Sequence, residues 1–168
     1  MNSSVTQIRA LFRFHGAGKE LIHKWKYSQV FFIKDLWARL IRKRFPYNTN
    51  EFETIIPVPA HFTKILYRGF NQSYEIAKIV SANCKLPVDN SLVTRKRYTK
   101  PQSKYSEYTL RSKNISKAFK ITANIKNQKI LIVDDIITSG STVNELAKTI
   151  LNKNEFIKFS VFTLAYAI

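Results

Sequence analysis

Two adjacent carboxylates, Asp134 and Asp135, follow the apolar run Ile130–Val133 and stand just ahead of Thr138-Ser139-Gly140-Ser141-Thr142. The run is rich in β-branched residues and does not alternate, so it reads as a central parallel strand buried on both faces. Beyond the hydroxyl-rich loop, Val143, Leu146, Ala147, Ile150 and Leu151 make a helical stripe. In that order the acids fall at the carboxyl end of a strand, where open α/β sheets bind their ligands. The loop becomes the turn into a helix, whose first backbone N–H groups are unpaired and carry partial positive charge. Small side chains there let a phosphate come close, and their hydroxyls add donors. Two carboxylates beside such a cradle would repel a bare triphosphate, yet they can accept hydrogen bonds from vicinal ribose hydroxyls. The stretch therefore suits a ribose 5-phosphate group. The alternative is a plain strand–loop–helix with two solvated acids and a Ser/Thr cap, and the full order of residues weighs against it.

The elements that must hold this stretch are also visible. Residues 19–45 read as helix, in two pieces meeting near Tyr27–Gln29, with Val30, Ile33, Trp37, Leu40 and Ile41 at helical spacing. Arg42, Lys43 and Arg44 suit a helix C-terminus, and Pro46 follows as a stop. Thr54–Ile56 is a short buried strand running into a turn stiffened by Pro57 and Pro59. "NQSYEIAKIVSAN" is an amphipathic helix capped by Asn71 or Ser73. Residues 95–120 hold nine Lys/Arg against the single acid Glu107 and read as a long polar excursion. "FIKFSVFTLAYA" closes the chain as a β-rich segment. Strand, helix and strand in sequence predict an α/β fold around a mostly parallel sheet.

Composition bounds the function. At 168 residues and 45% hydrophobic, the chain is expected to form one domain, with a helical part over 1–50 and a ligand-binding core over 51–168. No apolar run reaches the roughly 18 residues of a membrane span, and the first residues lack the order of a secretory signal, so the expected compartment is the cytoplasm. A lone cysteine, Cys84, excludes an intrachain disulfide and a Cys-based zinc site within one chain. His15, His23 and His61 lack metal-ligand spacing, and no metal held by protein ligands alone is expected. The formal net charge of +17 favours polyanionic partners: nucleic acid, phosphorylated metabolites or an anionic membrane face. A general drift towards Lys would give the same excess.

"ILIVDDIITSGST" resembles the phosphoribosyl pyrophosphate (PRPP) motif of type I phosphoribosyltransferases. The resemblance implies that Asp134 and Asp135 meet the ribose hydroxyls, that Thr138, Ser139, Gly140, Ser141 and Thr142 hold the 5-phosphate, and that Mg²⁺ accompanies PRPP. It also implies the type I fold, a mostly parallel sheet flanked by helices with a hood and a flexible loop. "GAGKELIHKWKY", "IIPVPAHF", "YRGFNQS" and "RKRYTKPQSKYSEYTLRSKNISKAF" resemble in this order the ComF group, phosphoribosyltransferase-like proteins of bacterial natural transformation. That group implies single-stranded DNA and the DNA-uptake and helicase machinery as partners. Many members begin with a four-cysteine zinc module, which has no counterpart in these residues, so no zinc is expected here.

Three further features take their meaning from this resemblance. "PVPAHFTKILYRGFNQ" occupies the place of a pyrophosphate loop, with Lys64 and Arg68 as phosphate partners; a stiffened loop with two solvated cations is the equal alternative. Residues 95–113 match the loop that closes over PRPP. There Arg95, Lys96, Arg97, Lys100, Lys104 and Arg111 interleave with Tyr98, Tyr105 and Tyr108, an arrangement suited to single strands. Lys19, Lys24, Lys26, Lys34, Arg39, Arg42, Lys43 and Arg44 form a basic face for DNA or for peripheral association with the inner membrane, although a solvated helix face explains them more simply. Purine-specific relatives carry an acid where Thr138 stands, and a threonine is a poor general base, which argues against purine salvage. Three functions follow: a ComF-like handler of single-stranded DNA with a PRPP pocket, an active phosphoribosyltransferase with an unnamed acceptor, or a nucleotide-sensing regulator.

Overall fold

The computed structural model describes residues 5–27, 32–96, 118–126, 129–153 and 156–167. Its strands are β1 (Val5–Arg13), β2 (Thr54–Pro57), β3 (Val93–Arg95), β4 (Phe119–Ile121), β5 (Lys129–Ile137) and β6 (Lys158–Tyr166). Its helices are α1 (Gly16–Tyr27), α2 (Phe32–Arg44), α3 (Phe62–Arg68), α4 (Gln72–Cys84) and α5 (Ser141–Leu151), with a short 3₁₀ turn at Thr49–Glu51. The main sheet runs β1-β6-β5-β2, and every neighbouring pair is parallel. β3 and β4 form a separate antiparallel pair.

The apolar run of β5 explains the layering. Successive side chains of a strand point to opposite faces. Ile130 and Ile132 join one cluster with Val143, Leu146, Ala147 and Ile150 of α5. Leu131 and Val133 join the other, with Trp37 and Ile41 of α2, and Ile76, Ala77 and Val80 of α4. A strand covered on both sides has no solvent face, which is why it lacks alternation. Trp25 and Trp37 are both buried, as their helical positions predict.

β1 is the element the sequence hides. Val5–Arg13 lies at the sheet edge against β6, inside the stretch read as the helical N-terminal part. Only Val5 is buried along it, and residues 6–9 are all exposed. With so little of the strand covered, the alternation that would reveal it is not required of the sequence. The helices behave as expected: α1 ends at Tyr27 and α2 begins at Phe32. Asn71, rather than Ser73, caps α4, its side chain accepting from the Ser73 N–H at 3.2 Å. The polar excursion is tied at its base by β3 and β4, pairing Arg95 with Phe119. No helix among the described residues is long and apolar enough to cross a membrane.

Candidate functional site

The acids sit within β5, not beyond it. Asp134 pairs in register with Thr163 of β6, and the strand continues to Ile137. Alternation along the strand then separates the two carboxylates. Asp134 lines a small cavity of about 30 Å³ together with Ile136, Ile137, Thr138, Gly140, Ser141, Thr142 and Val143. Asp135 instead meets the ammonium of Lys26 at the end of α1, an ion pair in which each side chain is only 15% exposed.

The cavity is the mouth of α5. Gly140 takes a left-handed conformation with φ 71°, and no side chain caps the helix. A left-handed residue at this point favours glycine, since other L-residues pay a steric penalty there. The Ser139 and Ser141 hydroxyls lie 2.9 Å apart at the cavity rim. The Ser141 N–H donates to the Ser139 hydroxyl at 3.5 Å, and the helix dipole with the small hydroxyl side chains favours an anion at this end. Thr138, Gly140, Ser141 and Thr142 line the cavity with Asp134, and Ser139 meets it through the Ser141 hydroxyl.

Asp134 is fixed from two sides. Its Oδ1 accepts from the Ser73 hydroxyl at 2.8 Å and from the Asp135 N–H at 2.9 Å. Ser73 comes from the first turn of α4, which Asn71 ties to the β2 exit by donating to the Val58 carbonyl at 3.2 Å. Burial, and next the Asp135 carboxylate, push Asp134 up to about 7. Burial pushes Asp135 the same way, but the Lys26 ammonium outweighs it and the net shift is downward. Asp135 Oδ1 also accepts from the Ile136 N–H at 2.8 Å. The pair thus presents one readily ionised carboxylate and one that is costly to charge.

Cations surround the acids. Burial lowers Lys64, and the charges of Arg95, Arg68 and Lys26 lower it further while Asp135 opposes them. Arg68 donates to the Gln72 side-chain Oε1 at 3.2 Å and to the Tyr27 hydroxyl at 3.1 Å, and its guanidinium lies over the Tyr27 ring. Lys64 and Arg68 therefore both lie within the electrostatic reach of Asp135. Arg95 stacks on Phe119 and is lowered by burial and raised by Asp134. That places it beside the pocket rather than on an open surface, while Lys96 is exposed. Arg97, Lys100, Lys104 and Arg111 lie outside the described residues. Among the described residues no group of three or more His, Cys, Asp or Glu is placed to hold a metal.

Two site residues were not singled out by motif. Lys26 was visible only as one charge among many on a basic face, and Ser73 only as an alternative cap. Ile22, one helical turn before Lys26 on the same face of α1, is buried. That buried neighbour was the available signal that this lysine turns towards the body of the protein.

Residues 33–165 match the family model for the phosphoribosyl transferase domain. The chain is 33% identical over 156 residues to competence protein F of Haemophilus influenzae, covering 88% of this chain and 67% of that protein. It is 32% identical over 136 residues to the DNA utilization protein YhgH of Escherichia coli K12, covering 78% of this chain and 60% of that one. Against competence protein ComFC of Bacillus subtilis it is 23% identical over 165 residues, covering 94% of this chain and 63% of that protein. A purine phosphoribosyltransferase from Pyrococcus horikoshii superposes with a TM-score of 0.42 at 12% identity, over 80% of this chain and 85% of that one.

Proposed function

The chain belongs to the phosphoribosyl transferase domain family, in its ComF group of competence proteins, and from that premise we propose that it handles single-stranded DNA during natural transformation and carries a working PRPP pocket. The observation that carries the pocket is the junction of β5 and α5. There Asp134 lines an uncapped helix mouth built of Thr138, Ser139, Gly140, Ser141 and Thr142. The 5-phosphate occupies the mouth and the ribose diol faces the carboxylates. The diphosphate falls to the cationic side, towards Lys64, Arg68 and Lys26. Mg²⁺ fits such a donor set, because it is usually held by one or two carboxylates plus substrate phosphates rather than by a protein cage. Asp135, on the diphosphate side, would be its one protein carboxylate, and it would neutralise charge on the diphosphate.

The Lys26–Asp135 pair sets a condition on binding. A ribose hydroxyl that donates to Asp135 competes with an ammonium already in place. A ligand that brings its own anion offers Lys26 a new partner, so PRPP suits this pocket better than ribose 5-phosphate. Thr138 supplies no general base, so any transfer chemistry would draw its base from elsewhere. The DNA role rests on the net charge of +17 and on the names of the relatives, which are competence and DNA utilization proteins.

Fluorescence anisotropy of a labelled single strand, titrated at several salt concentrations with and without PRPP–Mg²⁺, tests the reading. Tight binding that falls steeply with salt supports it. Absence of binding at low salt removes the DNA role and leaves the enzyme reading, to be pursued through pyrophosphate release with candidate acceptors.

A further inference from the structure

Helix α3 has no buried residue along its whole length. Phe62 is 62% exposed, Leu66 78% and Tyr67 79%, with Ile65 also open to solvent. Tyr27, at the end of α1, extends the same surface: it is 47% exposed and meets the Tyr67 ring edge-on with centroids 6.3 Å apart. His23 packs on Tyr27 at 4.7 Å, and Arg68 covers the other ring contact at 5.2 Å. Contiguous exposed apolar side chains of this kind mark an interaction surface.

The charge around the patch says what it meets. α3 contains Lys64 and Arg68 and no acid at all. The neighbouring end of α1 adds Lys24. The carboxylate facing this end of α1, Asp135, is already engaged by Lys26. A partner here must tolerate positive charge and offer flat apolar surface. A single-stranded nucleic acid does both: its phosphates track the cations and its bases stack on open rings. Arg68 serves twice, since a guanidinium on an aromatic ring also stacks well against a base.

We propose that α3 and the end of α1 form a base-stacking platform for single-stranded nucleic acid, with Tyr67 as its open ring, Tyr27 packed edge-on against it, and Lys64 and Arg68 as its phosphate contacts. This rests on the single-strand reading above and deepens it. It moves part of the contact from residues 95–111 to the rim of the PRPP pocket, since Lys64 and Arg68 also face Asp135. A strand lying on α3 would share Lys64 and Arg68 with the pocket.

The test separates stacking from mere apolar docking. Tyr67→Leu keeps the apolar surface and removes the ring face, Tyr67→Trp keeps a ring, and Leu66→Ser removes only aliphatic surface. In anisotropy titrations of a labelled oligothymidylate, Tyr67→Leu is expected to weaken binding about tenfold, with Tyr67→Trp restoring it and Leu66→Ser nearly neutral. Photocrosslinking of a 5-iodouracil strand to the wild-type protein should map to the peptides holding Tyr67 or Tyr27, a readout that survives if a variant folds poorly. Wild-type binding with an unchanged Tyr67→Leu and crosslinks elsewhere overturns the platform alone, and would assign the patch to a protein partner. No binding by the wild-type protein at low salt overturns the single-strand reading and the platform together.

Discussion

Asp134 and Asp135 are neighbours in sequence and opposites in chemistry. Asp134 has a folded pKa raised above its unfolded value, so between about pH 4 and pH 7 the folded state binds the extra proton and stability falls as pH rises. Asp134→Asn should therefore raise the melting temperature of the ligand-free protein, by more at pH 8 than at pH 5, as followed by circular dichroism. Asp135 is shifted the other way, and its contribution is present above the unfolded pKa and lost as pH falls through the folded one. Lys26→Met should cost about 1–3 kcal/mol in urea unfolding at neutral pH, since both side chains are largely covered. That cost should shrink towards pH 3, where Asp135 no longer needs a partner. The acids and the hydroxyl loop were legible because local order along the chain dictates their geometry. Lys26 was not, because its partner lies far along the sequence and the contact exists only once α1 packs on the sheet.

At the scale of elements, the site depends on where α1 and α5 are seated. Gly18 lets α1 approach β1: a Cβ there would come within 2.5 Å of the Phe12 ring, which itself stacks on Trp37. Gly18→Val should destabilise the fold by about 1–3 kcal/mol and, by displacing α1, loosen Lys26 from Asp135. A comparison of melting curves with PRPP affinity would register both effects. At the mouth of α5 the space around Gly140 is open, with only Asn144 Nδ2 at 3.8 Å, so Gly140→Ala is penalised through its backbone conformation alone. It should lower stability by about 1 kcal/mol and weaken inorganic phosphate, which binding titrations can follow. Helical periods revealed α2, α4 and α5, each of which buries one face in the core, and an unbroken apolar run revealed β5, which is buried on both. β1 is mostly exposed at an edge, and α3 has no buried residue, so neither leaves a period to read.

At the scale of the whole molecule, a sheet with both faces covered puts the two acids and the hydroxyl loop at the carboxyl end of the central strands, while the cations spread well beyond that end. The +17 charge alone did not distinguish a nucleic-acid partner from a lysine-rich composition. The proposed platform rests on arrangement instead: Lys64 and Arg68 lie at one end of the sheet beside the exposed Tyr67 ring. Single-strand affinity should fall with salt at a slope of about −0.7 per phosphate contacted, and Lys64→Ala with Arg68→Ala should flatten that slope. The measurement that bears most directly on the account is calorimetric titration of PRPP–Mg²⁺ into the wild-type protein and into Asp135→Asn. The account predicts saturable binding by the wild type, and a loss of at least about tenfold in the variant, the scale of one hydrogen bond to a charged group. Binding that is equal in the two proteins, or no heat from the wild type, would contradict it.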